Sequence, residues 1–168
     1  MVGSEPDFHN EKELENAIAA TIEDLLRDRT RTIVLRGFGL DLTVFIEKAG
    51  VSRACFFEIK AFSAHHGRCG FGNQNGEGNQ IRLLFDASTQ APRDQSQLSL
   101  LDPTIRWVLG NRSQPVGSQR YLFFTCKEAQ EAAMGSVKPG KQNNLRLSMF
   151  NNLWITWPEL VDRIQAFI

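Results

Sequence analysis

The stretch Leu40–Lys60, LDLTVFIEKAGVSRACFFEIK, decides how the chain is read. Leu40–Ile46 is rich in apolar and β-branched residues and predicts a strand. Glu47–Arg53 is polar, contains Gly50, and predicts a turn. Ala54–Lys60 predicts the next strand, and so short a link predicts that the two run antiparallel. Residues two apart in a strand share a face, so Glu58 and Lys60 point one way while Phe57 and Ile59 point the other. Charged side chains are seldom fully buried unless paired. A Glu-x-Lys in this apolar run therefore needs a partner, and the hairpin brings Asp41 beside Glu58.

Upstream, Thr32–Arg36 (TIVLR) predicts a strand, and Gly37-Phe38-Gly39 turns the chain into the hairpin. The three strands form an antiparallel meander. Residues 10–28 predict a helix, with Asn10 as cap and Glu13 completing a capping box. Leu14, Ala17, Ile18, Ile22, Leu25 and Leu26 make its apolar face. At about 100° per residue, Glu11 and Glu15 fall on that same face and Glu13 points away. Carboxylates on an apolar helix face are unusual.

Downstream, residues 63–80 hold five glycines without a period and predict a loop. Residues 81–86 fit a helix or a strand, and 87–99 read as a polar loop. Asp102-Pro103 looks like an N-cap followed by a first-turn proline, and Gly110 a stop, so 103–109 reads as a short helix. Gln119–Cys126 predicts a strand, Lys127–Met134 a helix, 136–144 a basic turn and Leu145–Phe150 a strand. Thr156 and Glu159 open a last helix with a capping box, and Phe150, Trp154 and Trp157 are expected to pack it. Without a repeat or a low-complexity linker, residues 1–168 read as a single α/β domain, a mixed β-sheet flanked by helices.

Composition excludes several function classes. The 168 residues carry 19 basic and 19 acidic groups, which excludes an overwhelmingly basic nucleic-acid binder. Residues 1–60 hold 8 basic and 11 acidic side chains, and residues 61–168 hold 11 and 8. A nucleic-acid surface is thus expected in the second part. No apolar run approaches the ~20 residues of a membrane span, so no membrane partner is expected. The acidic, polar N-terminus is unlike a signal peptide, and Cys55, Cys69 and Cys126 form no CxxC pair. A cytoplasmic protein with reduced thiols is expected.

Asp41, Glu58 and Lys60 carry the chemistry. Two adjacent carboxylates raise each other's pKa, and a divalent cation relieves their repulsion. Oxygen ligands favour a hard ion such as Mg²⁺ (or Mn²⁺). Asp41, Glu58 and the Ile59 carbonyl are its expected ligands. Such an ion polarises a phosphodiester and lowers the pKa of bound water. Lys60 is placed to stabilise charge developing on the phosphate or to orient the attacking water. Glu15, with Glu11 as the alternate, is a candidate for holding a bound water or a second ion.

The run Gly39-Leu40-Asp41-Leu42-Thr43-Val44, followed by Phe57-Glu58-Ile59-Lys60 with the two acids 17 positions apart, resembles the PD-(D/E)XK nuclease superfamily. The resemblance covers about residues 10–60. It implies a restriction-endonuclease-like fold whose core is a helix, three strands, a helix and a further strand, with Gln119–Cys126 as that fourth strand. It implies a metal-dependent endonuclease acting on DNA, with Asp41 and Glu58 on Mg²⁺ and Lys60 as catalytic lysine. Gln80 is the candidate for the glutamine that follows the E-x-K strand in several members. Two departures stand out. The literal Pro6-Asp7 precedes the helix, and a glycine-rich loop follows Lys60 where the family has a helix. Duplex cleavage calls for two sites, so a homodimer, or a protein partner that supplies specificity, is expected.

Other features weigh less. The glycine-rich loop matches neither GxxxxGK[ST] nor GxGxxG, and His65, His66 and Cys69 have no fourth zinc ligand at suitable spacing. Lys138, Lys141 and Arg68 are candidates for phosphate contacts, as are Arg106, Arg112 and Arg146, against solvated surface charge as the alternative. The alternative function is a non-catalytic module that binds nucleic acid or protein on the same fold.

Overall fold

The structure, a computed structural model, describes residues 4–27, 31–37, 40–63, 68–70, 84–85, 91–134, 144–146 and 150–168. It opens with α1 (Glu11–Leu26). Asn10 caps this helix by accepting from Glu13 N–H at 2.9 Å, and Glu13 reaches back to His9 N–H at 2.6 Å. These bonds satisfy donors that a helix start leaves without partners. Then come β1 (Arg31–Arg36), β2 (Leu42–Lys48) and β3 (Val51–Phe62), the expected antiparallel meander. β4 (Arg68–Gly70) lies within the predicted loop and pairs with β7 (Asn144–Arg146) in a separate two-stranded sheet. The remaining elements are α2 (Gln95–Leu101), β5 (Ile105–Asn111), β6 (Tyr121–Phe124), α3 (Cys126–Met134) and α4 (Trp157–Phe167).

The main sheet is mixed, in the order β1-β2-β3-β5-β6, with β5 parallel to β3 and β6 antiparallel to β5. Its two faces build two cores. Leu42, Val44, Cys55, Phe57, Ile59 and Val108 pack under α1 and α4, on Leu14, Ile18, Ile22, Leu160 and Ile164. Trp107, Leu109, Leu122 and Phe124 pack under α2 and α3, on Leu98, Cys126 and Ala129. Trp157 joins the first core, as expected, whereas Phe150 and Trp154 pack in the second, away from α4. Cys55 and Cys126 are buried free thiols. No described helix is long and apolar enough to cross a membrane.

Two sequence expectations fail together, around Asp102. Residues 103–109 do not form a helix; 105–111 are a strand in the sheet's interior. Asp102 closes α2 at its C-terminus, and Pro103 follows because it cannot continue a helix. The same Asp-Pro pair fits either end of a helix. Ile105–Asn111 has helices on both sheet faces, so it shows the near-continuous burial of a central strand and no alternation. The polar stretch read as a loop holds α2 instead, capped by an Asp94–Gln97 capping box and burying Leu98 alone. One buried residue leaves no periodicity to read. The fourth strand across the sheet is therefore β5, and β6, within Gln119–Cys126, is the fifth. Leu84 and Phe85 are buried, with Phe85 bridged to Pro92.

Gly110 is not a helix stop but a point of close approach. A Cβ there would lie 2.6 Å from Leu14 Cδ2 and 2.7 Å from Phe8 Cζ. Gly110→Ala is expected to destabilise by about 1–3 kcal/mol, because both neighbours are fully packed. Urea unfolding measures this. An unchanged midpoint would show that α1 shifts outward without cost.

Candidate active site

β2 stops short of β3, and the site is built in the space this leaves. The last pair of their ladder is Leu42 with Phe57, while β3 continues to Phe62. Asp41 turns out of the strand, held by a Gly37 N–H that donates to its carbonyl at 2.9 Å. Gly37 has φ +70°, a conformation that favours glycine. The Asp41 side chain then takes the place of the missing β2 backbone, with Oδ2 accepting from Ile59 N–H at 2.7 Å. In a strand the N–H and C=O of one residue point to the same side. The Ile59 carbonyl therefore emerges on the Asp41 side of β3.

Glu58 and Lys60 pair with Trp107 and Leu109 in the β5 register, on the face that carries α2 and α3. α1 packs on the opposite face. Its first two turns nevertheless reach the site past the end of β2. Glu11 Oε1 accepts from Lys60 Nζ at 3.0 Å. Glu15 is only 8 % exposed and accepts from Lys12 Nζ at 2.7 Å. Carboxylate oxygens of Glu11, Glu15 and Asp41 lie within 4.8 Å of one another.

Glu58 is the most constrained member, at 1 % exposure. Its Oε1 is ion-paired with Lys60 Nζ at 3.3 Å. Burial, and then the Asp41 charge beside it, push its carboxyl up to about 9, against the pull of Lys60. Burial alone would lower the Lys60 ammonium. Glu58, Glu11 and Asp41 outweigh it and hold the ammonium above the ordinary lysine range.

The structure thus brings together Asp41, Glu58, Ile59, Lys60 and Glu15. It also brings in Glu11, the alternate to Glu15 on the same helix face, and adds Lys12, which no sequence feature singled out. Gln80, Lys138 and Lys141 lie outside the described residues, as do His65 and His66. Arg68 stands in β4, directly opposite Arg146 of β7. Arg106 is half-buried: its guanidinium stacks 4.3 Å from the Phe167 ring centroid and donates to the Ile105 carbonyl at 2.8 Å. Arg112 donates to the His9 carbonyl at 2.7 Å, which ties β5 to the residues before α1.

Fold and site together define an α/β protein with a five-stranded mixed sheet, four described helices and an acidic, lysine-bearing cluster where β2 ends. No family model, curated protein or solved structure matches the chain.

Proposed function

We propose that the protein is a metal-dependent nuclease that hydrolyses phosphodiester bonds in DNA, with Asp41, Glu58 and Lys60 at its centre. The observation that carries this reading is the buried Glu58 carboxyl, crowded by the Asp41 charge and paired with Lys60 Nζ at 3.3 Å. Two carboxyls this close repel each other when ionised, and a cation beside them relieves the repulsion. An all-oxygen donor set suits a hard cation. The order α1, β1–β3, α2, β5 also follows the helix, three strands, helix and strand of the restriction-endonuclease-like core, with β4 as an excursion.

Asp41, Glu58 and the Ile59 carbonyl, together with Glu11 and Glu15, are the groups that would hold Mg²⁺ or Mn²⁺. Bound there, the ion would supply Lewis-acid polarisation of the phosphodiester and a more acidic water. The chain's own groups do the rest. The Ile59 N–H fixes the Asp41 carboxylate and leaves its other oxygen for the ion. Lys60, on the same strand face as Glu58, places a positive charge where the phosphate oxygens gain negative charge. Cutting both strands of a duplex calls for two such sites, and a homodimer supplies them.

A nuclease assay with Mg²⁺ or Mn²⁺ on linear, circular, single-stranded and branched DNA tests the reading. Lys60→Ala is expected to lower the rate ~100-fold or more, the scale of losing one transition-state charge stabiliser. Undiminished cutting by that variant would assign the activity elsewhere. No cutting of any substrate, with wild type and variant equally able to bind nucleic acid or a protein, would favour the non-catalytic module.

A further inference from the structure

The two edges of the main sheet are finished differently. At β6 the edge is closed: Tyr121 N–H donates to the Ile155 carbonyl at 3.1 Å, and Ile155 N–H donates back to the Tyr121 carbonyl at 2.9 Å. At β1, the opposite edge, no described strand pairs with the outer side. The turn into β2 fixes which backbone groups face out. Gly37 N–H donates to the Asp41 carbonyl, so Leu35 and Ile33, two and four residues earlier, also turn N–H and C=O toward β2. Val34 and Arg36 turn theirs to the outer side. Proteins keep an edge from pairing with proline, with bulges or with charges along it. β1 pairs with β2 over 6 consecutive residues without a bulge, holds no proline, and carries charge only at its ends.

The side chains continue the pattern. Ile33, Leu35 and Phe45 are 58 %, 36 % and 39 % exposed. They share the sheet face that α2 and α3 cover only farther along, over β5 and β6. Contiguous exposed apolar side chains of this kind mark an interaction site. A second copy of β1, laid antiparallel, fits it. Backbone groups meet only where outward residues face outward residues, and the fullest such register sets Val34 opposite Val34 of the second copy. Ile33 then faces Leu35 of the second copy, and Leu35 faces its Ile33, so exposed apolar residues cover one another. Arg36 comes beside Thr32 of the second copy. Arg31 would stand opposite Arg36 only after a slip of one residue, which turns the bonding groups away. The strand is thus complementary to itself in backbone, apolar side chains and charge. We infer that β1 is the docking surface for a second copy of this chain, joined edge to edge across a two-fold axis at Val34 into one continuous sheet. That axis is normal to the sheet and leaves both candidate sites on one face. The use of such a pair on a duplex rests on the nuclease reading; the pairing itself does not.

Sedimentation of the full chain through the micromolar range, with residue-resolved amide exchange on the same samples, tests the surface. A dimer is expected to form as concentration rises. The Val34 and Arg36 amides are expected to exchange about tenfold slower or more in it, while those of Ile33 and Leu35, already bonded to β2, do not respond. Val34→Pro removes one outward N–H, a change that edge strands tolerate, and is expected to abolish the dimer. Ile33→Lys alters an exposed side chain alone and is expected to weaken association about tenfold or more at an unchanged melting temperature, whether or not the proline variant folds. A monomer at every concentration, with both amides unprotected, overturns the inference and leaves a foreign strand as the occupant of the edge. Both amides protected in the monomer overturn it in favour of the chain's own residues. A dimer that ignores Ile33→Lys and leaves the two amides unprotected overturns it in favour of another surface. A dimer with the expected protection that cuts no DNA supports the pairing and overturns the nuclease reading alone.

Discussion

Glu58→Gln is expected to abolish the proposed activity and, in the cation-free protein, to raise stability above neutral pH. Both effects have one cause. Burial and the Asp41 charge hold the Glu58 carboxyl up near 9, against an ordinary value of 4.5. Between those values the folded chain keeps a proton that the unfolded chain releases. Stability is therefore full at the acid end of this window and falls as pH rises through it, by up to about 1.4 kcal/mol per pH unit. The raised Lys60 ammonium titrates above the ordinary lysine value of 10.5 and does not enter this window. A glutamine fills the same volume, never ionises, and removes the slope. Thermal melts in a chelating buffer between pH 5 and 9 measure it, and identical slopes for wild type and variant would sink the argument. In the nuclease assay the same variant loses a proposed cation ligand and is expected to be slower by ~100-fold or more.

The second large effect concerns the anchor of the α1 end of that site. Arg120 is 1 % exposed. Its Nε lies 2.9 Å from Glu5 Oε1 and 3.1 Å from the Tyr121 hydroxyl, and its terminal nitrogens donate to the Pro6 and Gln114 carbonyls. Its guanidinium stacks 4.5 Å from the Phe8 ring centroid. Tyr121 donates to Glu5 at 3.0 Å, and Gly117 N–H donates to the other Glu5 oxygen at 2.6 Å. The network fastens residues 5–8 to the β5–β6 connection, just before the Asn10 cap and Glu11. Arg120→Met is expected to cost about 3 kcal/mol or more, because it empties a buried cation site and leaves Glu5 as an uncompensated, largely buried charge. For a chain of this size that corresponds to a melting temperature lower by roughly 10 °C. Adding Glu5→Gln to the variant is expected to recover much of the loss, since the stranded charge is gone. Equal losses in the single and double variants would show that packing on Phe8, and not pairing, is what the arginine supplies.

The three-strand meander and its hairpin were legible because each strand alternates or runs apolar over its own few residues, and Gly37 and Gly50 mark the turns. α1 and α4 were legible from caps and period, both local signals. β5 was not, because its environment comes from β3, β6 and two helices on each side, and a strand buried on both faces carries no alternation. α2 was hidden by burying one residue alone, and β4 by being three residues long and paired only with β7.

The candidate site divides in the same way. Sequence by itself determined that Asp41 would stand beside Glu58 and that Glu58 and Lys60 would share a face, since strand period and hairpin register follow from neighbouring residues. It also placed Glu11 and Glu15 on one face of α1. Only the tertiary structure decided that β2 ends at Leu42, that α1 crosses at that end, and that Glu11 rather than Glu15 holds Lys60. Those are distances between elements on opposite faces of a sheet. They are set by how closely α1 can approach Gly110 and by the buried Arg120 that fastens the chain before it. No periodicity in α1 or β3 encodes them.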